Sequence, residues 1–238
     1  MSLRFAPRWY WIPLTAGAVA LFVSLGFWQW HRGEHRRAVW QEFARGDQPP
    51  IESPAAELAR LPLFTRVRVT GEFDATRQFL LDNISHQGAP GYEVLTPLQL
   101  GDGSSMLIDR GWVPFSGYRD RLPDVSLNLE ELKPFVTGRL SKLPVAGLAA
   151  GREPPPPDGP WPRVTSFPDM EQLAASLGTS LQPVMLLLDA ESGPGYLRDW
   201  RPPGISPDRN FSYAVQWWSF ALLAFAMFVG MNLKRTHV

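Results

Sequence analysis

The pattern of apolar and polar positions is dominated by two long apolar runs, one towards each end of the chain. Residues 11–30 and residues 211–233 contain no charged side chain. At about 1.5 Å rise per residue, a helix of about 20 residues crosses the roughly 30 Å hydrocarbon core of a membrane. Aromatic residues lie near the ends of both runs, as in the aromatic belts of membrane proteins: Trp9, Tyr10, Trp11, Trp28, Trp30, Tyr213, Trp217 and Trp218. The pattern predicts two transmembrane helices, with residues 1–10 and 234–238 on one side of the membrane.

The segment between the two runs shows the period of two that indicates β-strands. Val67 and Val69 alternate with polar neighbours before Gly71, and a similar alternation runs over residues 92–100. The turn sequence GDG at 101–103 precedes another apolar stretch, which predicts a hairpin. Further strands are predicted at residues 78–83, 135–140 and 184–188.

One helix is predicted among these strands, and one proline-rich connector. The apolar residues of the helix recur at the spacing i, i+3, i+4 and i+7: Met170, Leu173, Ala174 and Leu177. Ser166 or Asp169 provides its N-cap, and Gly178 ends it. The run EPPPPDGPWP at 153–162 predicts an exposed loop, because consecutive prolines lack backbone donors.

Together these elements predict a membrane protein of the α+β class. Two transmembrane helices flank a domain over residues 31–210 that is mainly antiparallel β and is barrel-like or sandwich-like.

Composition narrows the functional classes. The chain has 238 residues with 23 basic and 23 acidic side chains, so no net field attracts nucleic acid. It has no cysteine, which excludes disulfides, thiolate metal sites and cysteine nucleophiles. The sequence also lacks a phosphate loop, a metal-ligand cluster and a nucleophile–base pattern. We therefore predict no catalytic residues and no metal site.

The stretch IDRGWVP at residues 108–114 has two interpretations. In the first, Asp109 and Arg110 form a local ion pair, Gly111 permits a tight turn, and Trp112 packs under the sheet. In the second, Arg110 and Trp112 form a contact surface for a partner, because these residue types dominate binding hot spots.

The stretch LGFWQWHRGEHRR at residues 25–37 also has two interpretations. If the first helix continues past Trp30, His31 and His35 share one face and become candidate ligands of a metal ion or of haem iron. Alternatively, both line the membrane interface with the neighbouring arginines and face lipid phosphates.

Local charge leaves the orientation open. The terminal side carries Arg4, Arg8, Lys234 and Arg235, and the side of the central domain carries Arg32, Arg36, Arg37, Arg45, Arg198, Arg201 and Arg209. By the positive-inside rule, four cations against seven place the domain in the cytoplasm. That rule, however, weakens for loops longer than about 60 residues.

Several motifs, in order, resemble the surfeit-locus-1 family of cytochrome c oxidase assembly factors. The resemblance is carried in turn by LGFWQWHRGEHR, VTGEFD, GAPGYEVLTPLQLGDGSSMLIDRGWVP and NFSYAVQWWSF. The matching residues are Leu25, Gly26, Trp28, Gln29, Arg32, Arg36, Gly71, Phe73, Gly88, Gly91, Thr96, Pro97, Leu98, Asp102, Gly103, Leu107, Arg110, Gly111, Trp112, Pro114, Tyr213, Ala214, Trp217 and Trp218.

The resemblance implies a non-catalytic role in maturing a haem–copper oxidase. It implies two helices in the plasma (inner) membrane of a bacterium, or the mitochondrial inner membrane of a eukaryote, with cytoplasmic termini and a periplasmic central domain in the bacterial case. The implied partners are the lipid bilayer, immature oxidase subunit I and other assembly factors. The candidate contact residues are Trp28, Trp30, Arg110, Trp112, Tyr213, Trp217 and Trp218.

The resemblance also implies transient contact with haem a, with one departure from the family pattern. Many relatives have a histidine where this chain has Asn210, and a carboxamide is a poor ligand of haem iron. A haem-holding role would then fall to His31 and His35. Two other functions stay open: a permanent accessory subunit of a respiratory membrane complex, and a membrane-anchored hydrolase, which the missing nucleophile–base pattern disfavours.

Overall fold

The computed structural model describes residues 2–119, 121–127, 135–145, 151–191 and 196–236. The strands there are β1 (Ser2–Phe5), β2 (Ile51–Glu52), β3 (Arg66–Phe73), β4 (Phe79–His86), β5 (Ala89–Leu100), β6 (Ser105–Pro114), β7 (Phe135–Ser141), β8 (Arg163–Thr165), β9 (Met185–Leu188) and β10 (Leu233–Thr236). The helices are α1 (Trp11–Arg45), α2 (Ala55–Leu58), α3 (Met170–Leu177) and α4 (Pro207–Asn232). The chain divides into two compact units, Met1–Gln41 with Pro202–Val238, and Glu42–Arg201.

The first unit contains the two apolar helices. Both α1 and α4 are long and apolar enough to cross a membrane, with a mean hydropathy of 1.6 over their most apolar stretches. Only 6% of that stretch in α1 and 11% in α4 is buried within the protein, whereas a core helix of a soluble domain would be mostly buried. Helix α1 begins at Trp11 and runs on through polar residues to Arg45. Helix α4 begins at Pro207, where the Ser206 hydroxyl caps it by accepting from the Asp208 amide.

The second unit is built on a closed ring of five strands. The order β3–β7–β9–β6–β5 returns to β3 through antiparallel pairing between β3 and β5. Strand β2 adds to the outside of β3, and β4 and then β8 extend the sheet from β5. Most pairs are antiparallel, and the parallel ones are β2–β3, β4–β8 and β6–β9. The predicted α+β class and the mainly antiparallel β domain are confirmed, and the form is a barrel.

The hydrophobic core fills the inside of this ring. Alternate residues of all five strands form one buried cluster, as the period of two requires: Val67, Val69, Leu98, Leu100, Met106, Ile108, Val136, Leu140, Leu186 and Leu188. A second cluster lies outside the ring, where Leu173 and Leu177 of α3 pack against β4, β5, β6 and β9. The barrel is therefore a packed body that positions the loops and strand ends around it.

The predicted helix and strands lie where the periodicity placed them. Helix α3 covers Met170–Leu177; Asp169 and Gln172 form its capping box, and Gly178 ends it with a left-handed φ of 67°. Ser166 is not its cap. The proline-rich run at 153–162 forms no helix and only an isolated bridge at Glu153, and most of it is exposed.

Candidate functional site

Helices α1 and α4 meet along a seam of small and aromatic residues. Phe22, Gly26, Gln29 and Gly33 recur in α1 at intervals of four, three and four, so they share one face of the helix. In α4 the corresponding positions are Asn210, Ala214, Trp217, Trp218 and Ala221. The apolar runs therefore also encode one face on each helix that meets the other helix.

The glycines of the seam make room for large rings. A Cβ atom at Gly26 would overlap the indole of Trp218, and one at Gly33 would lie 2.7 Å from Cε1 of Phe211. The Trp30 ring centroid lies 4.8 Å from that of Phe211 and 5.8 Å from that of Trp218. Of the predicted contact residues, Trp30 and Trp218 are thus engaged by the opposite helix.

One polar contact crosses this apolar seam. The side-chain amide of Asn210 donates to Oε1 of Gln29 at 2.8 Å. Asn210 is buried, and an amide in apolar surroundings needs such a partner to offset its desolvation. At the position where the family resemblance raised the question of an iron ligand, this chain has a side chain that ties the two helices together.

His31 and His35 lie on one exposed face of α1, because the helix continues past Trp30. The Nδ1 atom of His31 is 3.7 Å from a carboxylate oxygen of Glu34, at the helix surface. Among the described residues no group of three or more histidines, aspartates and glutamates is placed to hold a metal ion. Both imidazoles are exposed at the helix surface, and contact between them and haem stays a prediction.

Two of the predicted contact aromatics face away from the seam. Trp28 is 53% exposed and Tyr213 is 39% exposed. The guanidinium of Arg32 lies 5.4 Å from the Trp28 ring centroid, in cation–π geometry. Trp217 instead stacks on Phe22 of α1 at 5.8 Å. Trp28 and Tyr213 are therefore the aromatics of this set with the most surface open to lipid or to a partner.

In the second unit, the DRGW stretch forms a β-bulge. Leu95 pairs with Asp109 and Glu93 pairs with Trp112, so β6 has one more residue than β5 between these pairs. Gly111 lies in the bulge with a φ of 112°, and a Cβ atom there would lie 2.8 Å from the Leu197 carbonyl oxygen. The glycine is needed for a bulge and a close backbone approach, not for the tight turn that the sequence suggested.

Arg110 points into the domain. It is 5% exposed; Nη1 donates to Gln78 Oε1 at 2.8 Å and to the Val125 carbonyl at 2.9 Å. Its guanidinium lies 4.7 Å from the Tyr196 ring centroid. The predicted local ion pair with Asp109 is therefore wrong, because successive strand residues face opposite sides and each finds other partners. A role of Arg110 or Trp112 in contacting a partner stays a prediction.

Asp109 forms a buried carboxyl pair with Glu93 of the neighbouring strand. Its Oδ1 accepts the Gly111 amide at 3.0 Å, and its Oδ2 has no donor among the described residues. Burial, and then the charge of Glu93, raises the pKa of Asp109 well above its ordinary value. Burial also raises the pKa of Glu93. Both buried carboxyls therefore favour the protonated form more than carboxyls in water do.

Trp112 lines a surface cleft of about 240 Å³ beside this pair. The cleft also contains His86, Glu93, Asp199 and Arg201, and the His86 ring lies 5.7 Å from that of Trp112. The chain at Leu197 pairs with Trp112 through two backbone hydrogen bonds of 2.9 and 3.1 Å, which fixes this wall.

Sequence reasoning missed Gln78, Glu93 and Tyr196, which join the DRGW stretch only through strand pairing and loop packing. It also missed the seam glycines as packing positions. The interval of seven residues between Gly26 and Gly33 was the available signal.

The comparisons with known proteins agree on one family. Residues 16–222 match the model of the SURF1 family. A SURF1-like protein of Dictyostelium discoideum is 32% identical over 125 residues, which are 46% of this chain and 44% of that protein. Uncharacterized SURF1-like proteins of Mycobacterium tuberculosis and Mycobacterium bovis are 29% identical over 236 residues, covering 93% of this chain and 83% of theirs. The chain thus spans less than half the length of the Dictyostelium relative and most of the length of the mycobacterial ones.

Proposed function

Because the chain belongs to the SURF1 family, a family of oxidase assembly factors, we propose that it assists the assembly of a haem–copper oxidase. In this proposal it is anchored in the plasma membrane of a bacterium, with the barrel domain on the periplasmic side. It binds immature subunit I beside its own helices and acts by contact, not by catalysis.

The observation that carries the proposal is the division of aromatic residues between the two helices. Trp30 and Trp218 hold α1 and α4 together, whereas Trp28 and Tyr213 remain exposed on outward faces. Lipid tails are as apolar as the side chains of the helices, so no hydrophobic effect drives the helices together. Helices in membranes therefore associate through close packing and polar contacts. Exposed rings beside a preformed helix pair suit a partner helix that docks and later leaves.

The test is deletion of the gene followed by complementation. We expect the deletion to abolish the absorption spectrum of haem a-type oxidase in membranes while subunit I is still synthesised, and the wild-type gene to restore it. A normal oxidase spectrum in the deletion strain would contradict the proposal. Stable co-purification with the mature enzyme would instead favour a permanent accessory subunit.

A pair of matched variants tests the contact surface. Trp28→Ala with Tyr213→Ala removes these two exposed rings, and Leu14→Ala with Leu222→Ala removes two apolar side chains of the same helices that are more exposed still. We expect the first pair to lower oxidase content at equal protein level and the second pair to leave it unchanged. Equal behaviour of both pairs would reduce Trp28 and Tyr213 to lipid contacts.

Contact with haem a, in this proposal, is transient and makes no resident cofactor. The absorption spectrum of the protein, co-expressed with the haem a biosynthesis enzymes and purified in detergent, tests this directly. We expect little or no bound haem. If haem is bound, His31→Ala or His35→Ala should lower its occupancy, and unchanged spectra in both variants would remove the histidine pair from consideration.

A further inference from the structure

Strands β1 and β10 form a two-stranded antiparallel ribbon next to the ends of the apolar helices. In its register Arg4 lies opposite Lys234, and Phe5 lies opposite Leu233. Successive strand residues face opposite sides, so each cross-strand pair occupies its own face of the ribbon. At these two pairs, one face therefore carries two cations and the other carries two apolar side chains.

The apolar face continues the helix pair. The Phe5 ring centroid lies 5.8 Å from that of Phe228 in α4, and the Ala6 amide donates to the Asn232 carbonyl at 3.0 Å. Strand β10 begins directly after Asn232, so Lys234 lies within about 7 Å of the helix end at the rise of a strand. For helices that span the bilayer, this places the ribbon at the level of the lipid headgroups, and the exposed Trp9 follows four residues after Phe5.

The basic face has no counter-charge among the residues that the structure describes. Arg4 and Lys234 are exposed, and neither forms a hydrogen bond or ion pair with another of the described residues. Residues 1–10 and 231–238 contain no acidic side chain. Like charges directly opposite each other destabilise a strand pair, so this register is favoured when an anion lies between them.

We propose that the basic face of the β1–β10 ribbon binds the phosphate of an anionic phospholipid headgroup between Arg4 and Lys234. The inference rests on the membrane anchoring in the proposed function, and it assigns this end of the helix pair to a leaflet that contains anionic lipid. Arg8, exposed and four residues after Arg4, adds a third cation at the same end of the molecule.

The test is a measurement of lipid preference on the full-length protein in neutral detergent. Native mass spectrometry compares the adducts formed with phosphatidylglycerol and with phosphatidylcholine of the same chain length. Two cations near a membrane surface raise affinity for anionic lipid by about tenfold or more. We expect a preference of that size in the wild type, and its loss in the double variant Arg4→Gln with Lys234→Gln.

A matched control removes the same charges elsewhere. Arg60→Gln with Lys142→Gln deletes one exposed arginine and one exposed lysine of the barrel domain, and should keep the preference. Arg4→Lys with Lys234→Arg keeps both charges and should also keep it, which separates lost charge from a disturbed ribbon. A double Gln variant that still prefers phosphatidylglycerol would overturn the proposal.

The source of the phosphate is settled by competition. Inorganic phosphate at the same concentration as the lipid should leave the phosphatidylglycerol adducts in place. Complete displacement by inorganic phosphate would overturn the assignment to a lipid. This experiment measures lipid binding by purified protein, so a negative result would not contradict the proposed role in oxidase assembly. Equally, a failed complementation would not contradict the lipid preference.

Discussion

Replacing Arg110 by methionine tests whether the DRGW stretch stabilises the barrel domain or contacts a partner. Methionine keeps the length and the apolar stem of the side chain but removes the guanidinium. In the wild type this group makes two hydrogen bonds, to Gln78 and to the Val125 carbonyl, and stacks on Tyr196. All of these partners lie within the domain.

The expected loss of stability follows from these contacts. Hydrogen bonds to a charged group contribute about 1.5–3 kcal/mol each. The acceptors are not orphaned: Gln78 Oε1 still accepts from Thr96 Oγ1 at 2.8 Å, and the Val125 carbonyl still accepts from Gln78 Nε2 at 3.0 Å. Methionine also avoids the cost of burying a cation. We therefore expect Arg110→Met to lower the free energy of unfolding by about 3 kcal/mol, near the lower end of the summed contacts.

The assay is denaturant unfolding of the full chain in mild detergent, monitored by near-ultraviolet circular dichroism. In a thermal melt, a loss of this size corresponds to a drop of about 6–12 °C in melting temperature for a domain of this size. The matched control is Arg119→Met, because Arg119 is 78% exposed and its ion pair with Asp82 is worth at most about 1 kcal/mol.

The outcome that would refute this reasoning is equal stability of the two variants. If Arg110→Met unfolds like Arg119→Met but fails to restore oxidase assembly, Arg110 acts on a partner and not within the domain. Arg110→Lys keeps the charge and one donor direction, so its free energy of unfolding should lie between those of the wild type and Arg110→Met.

Three further results are expected from the full chain in detergent. Because the pKa of Asp109 is raised in the folded chain, that chain keeps a proton above about pH 4, where the unfolded chain has released it. The free energy of unfolding therefore falls as pH rises from about 4 through the folded-state pKa. Asp109→Asn should flatten this dependence in unfolding measured from pH 5 to 8, and an unchanged slope would contradict the raised pKa of Asp109. Gly33→Leu should lower the melting temperature of the helical signal, because a Cβ atom at this position would lie 2.7 Å from a ring carbon of Phe211 in α4. Gly17→Leu should not lower it, because a Cβ atom there would meet nothing within 4 Å. Gly111→Ala should cost about 1–3 kcal/mol in denaturant unfolding, because its φ is 112°; a neutral effect would show that the bulge relaxes freely.

The sequence was sufficient wherever a local pattern determines structure. The apolar runs predicted α1 and α4, and the period of two predicted β3 and the β5–β6 hairpin around the GDG turn. The capping residues of α3 were also read locally, since Asp169 and Gly178 act on neighbouring backbone groups. Polarity, however, marks where an apolar run ends and not where a helix ends, so the continuation of α1 to Arg45 was left open.

The closed barrel and the surroundings of Arg110 depend on contacts between distant segments. Closure requires β3 to pair with both β5 and β7, and no local signal sets that register. Arg110 and Asp109 face opposite sides of β6, where Arg110 meets Gln78, just before β4, and Asp109 meets Glu93 of β5. A run of residue types such as DRGW therefore suggests a salt bridge or a contact surface, but its packing is decided by strands that the run itself does not contain.

The central proposal is that two membrane-spanning helices hold the barrel domain outside the cytoplasm; this domain is the unit Glu42–Arg201. The chain has no cysteine, so single cysteines report sidedness without background. Glu171→Cys lies on the exposed surface of α3, and Arg8→Cys lies before α1. With a membrane-impermeant maleimide on intact spheroplasts, we expect Glu171→Cys to be labelled at once and Arg8→Cys only after the membrane is broken. Labelling of Arg8→Cys with protection of Glu171→Cys would place the domain in the cytoplasm and contradict the account.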